Sequence, residues 1–502
     1  VDWRIKNEIN MNANNLVNPE YALNYKKYQL VRDCINDMVK QRACRGASCV
    51  YEHQQSVNHG YIVRAPDISD ESYYAFANRA VFKNYVGNTL DILCGAAMMR
   101  PYKLTGESLD DQEQDLPESI AYITETFTRS GNSYYDSLKE KLREVCSVGR
   151  YGVWVDYPGS SDGKTAADIK QNKLYARAQA FKAENIKDWS EKIINGRKQL
   201  NYVRLEECRT EIEFTGGSPN RVEFNVCYEL YLDGDGYYSV KLDDGTNEIV
   251  YQPTLGNGQK LDFIPFQFYG SIDNTPSVDP LPLYKIAEIN IALFNSDATM
   301  RQATWLFGSP TATFSLNEGV SPQEFMQING IAEGGSPVFG GSAYVGCEIG
   351  LAQISVDSML LETMDKDVDS MAQIGAQIIT VGQNETAESV RVRKGLSLAS
   401  LSGIVNNIES GDKNVIKWMM MFNNQSGEAD EFILELNKKF YDDKIDAQSL
   451  QQLFQGHFQG VYPSEYLFRI LKDNNLTIES DTATEYKERL GNEIPSGNMN
   501  LD

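Results

Sequence analysis

Apolar residues recur at helical spacing through the middle of the chain. Leu283, Ile286, Ile289 and Leu293 mark one face of a helix beginning at about Asp279 and stopped by Gly308 and Pro310. Asp279 is the candidate N-cap, and Pro280 falls in the first turn, where a missing N–H costs nothing. About 26 residues at ~1.5 Å rise make a rod of roughly 39 Å. A return helix from Asp357 to about Ile378 carries Leu360, Met364, Val368, Met371 and Ile374 on one face, with Glu362, Asp365, Lys366 and Asp369 mainly on others. Between the two lies a glycine-rich β insert, and beyond them a short polar loop leads into a third long helix that reaches Phe422. An out-and-back helical pair with a small module at its far end has the layout of a mechanical part and lies outside the usual enzyme plans.

The flanking patterns differ. Residues 1–150 read as mostly helical, with Tyr21, Tyr25 and Tyr28 spaced for one face and a second helix near Tyr73 to Leu93. From Tyr151 to Ile264 the period shortens to that of strands. The runs Tyr151 to Tyr157, Asn201 to Phe214, Val222 to Leu232 and Tyr237 to Leu242 are rich in β-branched and aromatic residues and are separated by glycine turns. One helical excursion, roughly Lys164 to Trp189, interrupts this sheet. Residues 426–502 read as short polar helices with a frayed end. The expected class is a multidomain α+β protein.

Charge changes this picture most. Against 47 basic residues stand 70 acidic ones, a formal net charge of −23 in 502 residues. Such a surface repels free nucleic acid, which disfavours broad phosphate gripping but not a protein past which DNA slides. Eight cysteines at irregular spacings, with no signal sequence, predict reduced thiols and a cytosolic origin. Cys44 and Cys49 are close, but no second pair or histidine cluster completes a metal site, so no metal or other cofactor is expected. No apolar run approaches the ~20 residues of a membrane span. The chain begins at Val1, which leaves room for a removed leader.

Candidate chemistry is sparse. Gly159-Ser-Ser-Asp-Gly163-Lys164-Thr165 follows a strand, as a phosphate-binding loop would, but is one residue short between its glycines and is preceded by Pro158. A loop shortened in this way does not wrap its N–H groups around a β-phosphate in the usual manner, and a plain exposed turn is the simpler reading. Asp233-Gly-Asp235-Gly lacks a glutamate at the twelfth position of a calcium loop and reads as a hairpin turn. Histidine occurs only at positions 53, 59 and 457, and a Cys49/His53 dyad is less plausible than two exposed loop histidines. Nothing here demands an enzyme.

Several segments have a familiar order. Tyr73, Arg79-Ala80, Phe82, Asn84, Thr89-Leu90, Gly95 and Pro101, then Gly149-Arg150-Tyr-Gly-Val-Trp-Val-Asp156-Tyr-Pro158, resemble tailed-bacteriophage portal proteins of the DUF4055 group. The resemblance continues through Arg177 to Trp189, Leu205-Glu206-Glu207, Ile264-Pro265-Phe266 and the helix beginning at Pro280, and covers roughly residues 15 to 425.

The resemblance implies a portal protein, a head-to-tail connector. Such proteins form rings, usually dodecameric, at one capsid vertex, and double-stranded DNA is packaged and ejected through the channel. Residues 1–279 would be the wing, β-rich over 151–264. Residues 280–306 and 357–378 would be the stem helices, 307–356 the clip, 379–425 the tunnel loop and long wing helix, and 426–502 a crown-like region. Gln383, Asn384 and Glu385 in the tunnel loop, with Arg391, Arg393 and Lys394 just beyond it, are the candidate DNA-channel residues, because a conduit for any sequence needs weak, sequence-blind contacts. Gly334, Gly335, Phe339, Gly340, Gly341 and Tyr344 are the candidate clip or partner surface, where glycine permits close backbone approach between subunits. Gly346 belongs to the same glycine-rich run, and Leu398, Leu401, Val405 and Ile408 form the stripe that packs the wing helix on the body.

The implied partners are other copies of the chain, DNA in the channel, the terminase large subunit as the separate ATPase, major capsid and scaffolding proteins, and head–tail adaptor or tail proteins, with no membrane. The location would be the virion, assembled in the host cytoplasm. The competing readings are a nucleotide-dependent enzyme using the loop near Lys164 and a virion structural protein without a channel.

Overall fold

The computed structural model describes residues 17–40, 61–64, 68–106, 115–157, 175–194, 196–215, 218–307, 311–331, 344–352, 358–374, 387–423, 431–438, 440, 451–455 and 464–473. The class is mixed α+β. The helices are α1 (Pro19–Ile35), α2 (Asp70–Arg79), α3 (Tyr85–Ala97), α4 (Tyr134–Val148), α5 (Tyr284–Phe307), α6 (Pro322–Ile328), α7 (Ser358–Ile374), α8 (Ala387–Asn423) and α9 (Ser464–Asp473). The strands are β1 (Lys103–Gly106), β2 (Arg150–Asp156), β3 (Arg177–Lys182), β4 (Ile186–Ile194), β5 (Arg197–Thr215), β6 (Ser218–Leu232), β7 (Tyr238–Asp243), β8 (Glu248–Tyr251), β9 (Phe266–Gly270), β10 (Thr311–Leu316), β11 (Cys347–Ala352) and β12 (Phe432–Glu435). The chain divides into two units, Val1–Leu436 and Asn437–Asp502. In the second, α9 buries Phe468 and Leu471, three residues apart on one helical face.

Helix starts in the first unit follow side-chain capping. Asn18 accepts the Glu20 N–H at 2.9 Å with Pro19 behind it, and Ser133 accepts the Asp136 N–H while donating its hydroxyl to the Asp136 carboxylate. All strand pairings are antiparallel, in the orders β3-β2-β9, β4-β5-β6-β7-β8, β1-β12 and β10-β11. The central strand β2 is buried from Arg150 to Val155 because α8 and α4 cover one face of its sheet, while Tyr228 and Tyr238 of the five-stranded sheet meet Trp154 on the other. Helix α8 contributes Leu401, Ile404, Val405, Ile408, Val415 and Ile416 to this core, while the Leu398 side chain lies outside the description.

One polar knot sits inside that apolar layer. Asp412 of α8 and Lys141 of α4 are fully buried, with Nζ 2.5 Å from Oδ1. The hydroxyls of Tyr269 and Tyr134 donate to the same carboxylate at 2.6 and 2.8 Å. The helix passes so close here that a Cβ on Gly411 would fall 2.5 Å from Tyr269 Cε1.

Four readings need correction. The helical excursion to Trp189 is absent where the chain is described: Arg177–Lys182 and Ile186–Ile194 are strands, because pairing with β2 and β5 overrides the helix propensity of an Ala- and Lys-rich run. The helix expected over Tyr73 to Leu93 is two helices. Their break at residues 80–84 is held by α5, whose Asp297 and Asn290 accept the N–H groups of Val81 and Tyr85. Asp279 caps nothing at α5; its carboxylate accepts from Ile272 and Asp273 N–H, and the helix starts at Tyr284. Within the expected helical tail, Phe432–Glu435 instead pairs with β1.

The Asp233-Gly-Asp-Gly segment is the β6–β7 hairpin, with Asp233 Oδ1 accepting from Asp235 and Tyr237 N–H at 3.0 and 2.8 Å. The loop around Lys164, the cysteines and histidines between 41 and 60, and His457 lie outside the described residues.

Candidate functional site

The candidate site is the run from α5 to α8. Helix α5, 24 residues and about 36 Å long, has a root held by polar side chains and an outer part with few such ties. Asn290, nearly fully buried, accepts from Tyr85 N–H at 3.2 Å and donates to the Lys83 carbonyl at 2.9 Å. Asn295 donates to the Tyr61 carbonyl and accepts from Val63 N–H. Asp297 accepts from Val81 N–H and from Arg301 Nε, and Phe294 meets Phe82 edge-on. These side chains satisfy the backbone of irregular segments that have no ladder of their own. The signal was present in the sequence: Asn290 and Asp297 interrupt an apolar face seven residues apart.

Beyond Asp297 the surroundings open. Arg79 donates to Gln302 at 2.7 Å and stacks over Trp305 at 3.8 Å. Helix α7 packs chiefly on α5, burying Met371 and half-burying Leu360, Met364 and Val368. The Asp367 carboxyl is pushed up by burial. Met359, Leu361 and Ile374 stay exposed, as does Trp305. Between the helices lies a groove of about 560 Å³ floored by Met300, Trp305, Leu361 and Met364, with Arg79 and Arg301 on its walls.

The insert between the helices has its own small core. Strands β10 and β11 pair from Thr311↔Ala352 to Leu316↔Cys347. Over them sits α6, capped by Ser321, which accepts from Glu324 N–H. This helix was not foreseen, although its Ser-Pro-x-Glu start carries a capping signature. Phe314, Phe325 and Tyr344 form an aromatic cluster with centroids 5.0–6.1 Å apart. Asn329 clamps Val345 by accepting its N–H at 2.9 Å and donating to its carbonyl at 3.0 Å. Gly346 follows at φ +83°, a conformation that favours glycine, and its carbonyl accepts from Asn317 N–H.

The expected site residues fall unevenly on this frame. Tyr344 belongs to the insert's own aromatic cluster. Gly334, Gly335, Phe339, Gly340 and Gly341 lie outside the described residues, as do Gln383, Asn384 and Glu385. Arg391, Arg393 and Lys394 lie within the first eight residues of α8, so their backbone is helical, and the last residues of the expected loop, 387–389, belong to the same helix. Among the described residues no cluster of three or more His, Cys, Asp or Glu is placed to hold a metal, and no helix is long and apolar enough to cross a membrane.

The solved structures similar to this chain include two particle necks. One is the neck of an empty GTA particle computed with C6 symmetry, at 10% identity over 79% of this chain and 92% of that chain, with a TM-score of 0.39. The other is the neck of a native GTA particle computed with C12 symmetry, at 10% identity over 75% and 85%, with a TM-score of 0.37. No curated protein matches the chain. Residues 282–423 match a family described as a domain of unknown function, DUF4055. The matched stretch begins two residues before α5 and ends with α8.

Proposed function

We propose that this chain is a portal subunit of a tailed-phage type of virion. Copies close into a ring of about twelve through heterologous contacts, and double-stranded DNA moves through the central channel in packaging and ejection. In this reading α5 and α7 are the stem and residues 307–356 the clip that meets terminase and later the head–tail adaptor or tail. Residues 380–389 and the start of α8 line the tunnel, and residues 1–279 form the wing beside capsid and scaffolding proteins. The protein is non-enzymatic, with translocation driven by a separate ATPase.

The observation that carries this reading is the coincidence of the DUF4055 match with a helix–insert–helix–helix run. Its first helix is keyed into the body, while its outer surface leaves Trp305, Met359, Leu361 and Ile374 exposed. An apolar surface of this kind marks an interaction site. A net charge of −23 suits a conduit through which DNA slides without sticking.

Native mass spectrometry tests the ring: a closed oligomer of about twelve copies is expected, and a strictly monomeric species at micromolar concentration and moderate salt refutes it. The tunnel has a separate test in particles whose residues 380–389 are shortened. Their rings should form while packaging or DNA retention fails, and wild-type behaviour in all three respects would remove the tunnel assignment.

A further inference from the structure

The five-stranded sheet ends unevenly. Strand β4 covers β5 only up to Leu205, and β7 covers β6 only from Cys227 onward. The two long strands continue as a two-stranded ribbon paired from Glu207↔Val226 to Thr215↔Ser218, and no other strand among the described residues joins it. Its last eight residues, Cys208 to Thr215, reach about 26 Å. Ribbons of two strands are marginal on their own in water. This one also exposes apolar side chains near its tip, with Ile212 at 59% and Phe214 at 75% exposure, beside Pro219. The charged residues from Cys208 to Thr215 and on the paired strand are Glu211, Glu213 and Glu223 against Arg209 and Arg221, a small acidic excess.

The groove on α5 and α7 has the opposite character. Its floor is apolar, Trp305 is 61% exposed, and Arg79 and Arg301 outweigh Asp297 on its walls. Within one copy the ribbon tip and the groove are both open to solvent, so neither covers the other.

We propose that the β5–β6 ribbon is an arm whose tip, centred on Phe214 and Ile212, seats in the Trp305 groove of a neighbouring copy. The occupant is another copy of this chain because the two surfaces match in both respects: apolar tip to apolar floor, and acidic excess to paired arginines. A tip-to-groove contact is also heterologous, the class that generates rings when its rotation closes. The inference rests on the ring reading above and names the surfaces that would build it.

The test uses the full chain carrying Cys208→Ser, Asn220→Cys and Thr304→Cys, oxidised with diamide. An intrachain disulfide would run as a monomer on a denaturing gel; a ladder of covalent oligomers is expected, and Phe214→Glu in the same background should abolish it. In parallel, the ribbon is cut between Glu207 and Val226 and closed with an Asn-Gly turn, which leaves the paired sheet intact. This variant should keep the wild-type melting temperature but need at least tenfold more protein to assemble. If the wild type forms rings yet no ladder appears and the shortened protein assembles within twofold of wild type, the arm inference is overturned and the ring stands. A monomeric wild type overturns both.

Discussion

Replacing Asp412 with asparagine keeps the side-chain volume but removes the charge opposite Lys141. Both partners are fully buried, so the Lys141 ammonium is left without its counter-ion in an apolar layer. Burial already holds the Lys141 ammonium below its ordinary value of 10.5, with Asp412 acting the other way. Without Asp412 the lysine sheds its proton on folding. That cost is bounded by the free energy of deprotonating it in the unfolded chain: about 5 kcal/mol at pH 7 and about 2 at pH 9, at about 1.4 kcal/mol per unit.

The sign follows from proton counting. The folded variant binds fewer protons than the unfolded chain below the unfolded pKa, so its stability rises with pH in that range. The loss relative to wild type should therefore approach the 3–5 kcal/mol typical of a broken buried pair at pH 7 and shrink by more than half at pH 9. Urea unfolding followed by far-UV circular dichroism at both pH values measures this, with unchanged slope m as the check on the denatured state. A loss below about 1 kcal/mol at pH 7, or one that stays constant between the two pH values, would refute the reasoning. The combined change Lys141→Met, Asp412→Leu, Tyr134→Phe, Tyr269→Phe should recover much of the loss, since apolar groups then replace the buried ions together with the two hydroxyls that bond Asp412.

Two further changes probe other joints. Asn290→Ala removes one partner each from the Tyr85 N–H and the Lys83 carbonyl, which keep only their mutual bond at 3.0 Å, and should cost about 1 kcal/mol; thermal unfolding reads the loss, and limited proteolysis should find residues 80–84 more readily cut. Glu184→Gln tests the hold of Arg32, which bonds both Glu184 and Glu144. Burial alone would raise the Glu184 carboxyl, but Arg32 outweighs it and sets the carboxyl below its ordinary 4.5. Its contribution is present above the unfolded pKa and lost as pH falls through the folded one. The variant should thus lose about 1 kcal/mol at pH 7 and progressively less in acid, and a pH-independent difference in urea midpoint would count against the pair.

Elements whose evidence is local were legible in the sequence. The helical spacing of Leu283, Ile286, Ile289 and Leu293 marks α5, and the runs at 151–157, 201–214, 222–232 and 237–242 fall on β2, β5, β6 and β7. What was missed depends on distant partners. Arg177–Trp189 is composed of good helix formers and becomes strand through pairing with β2 and β5. Asp279 before Pro280 has the composition of a cap, yet its carboxylate is taken by amides six and seven residues upstream. Lys141 and Asp412 are 271 positions apart, and no local pattern links them. The length of β5 and β6 was visible as a strand run, but that their ends outrun β4 and β7 emerges only from the register.

The two parts of α5 do different physical work, and the difference bears on how a ring would close. Asn290, Asn295 and Asp297 bond backbone groups of 61–63 and 81–85, and such bonds fix direction because they weaken steeply when misaligned. Trp305, Leu361 and Met359 offer apolar area, whose contribution scales with contact and carries little directional preference. A heterologous contact closes only when the rotation between neighbours divides a full turn, and otherwise winds into an open filament. Apolar patches alone would tolerate a range of such rotations. In the proposed ring, rigid keys at the root of α5 would narrow that range by setting the helix direction before any neighbour arrives, so the side chains that select closure need not lie at the contact between copies.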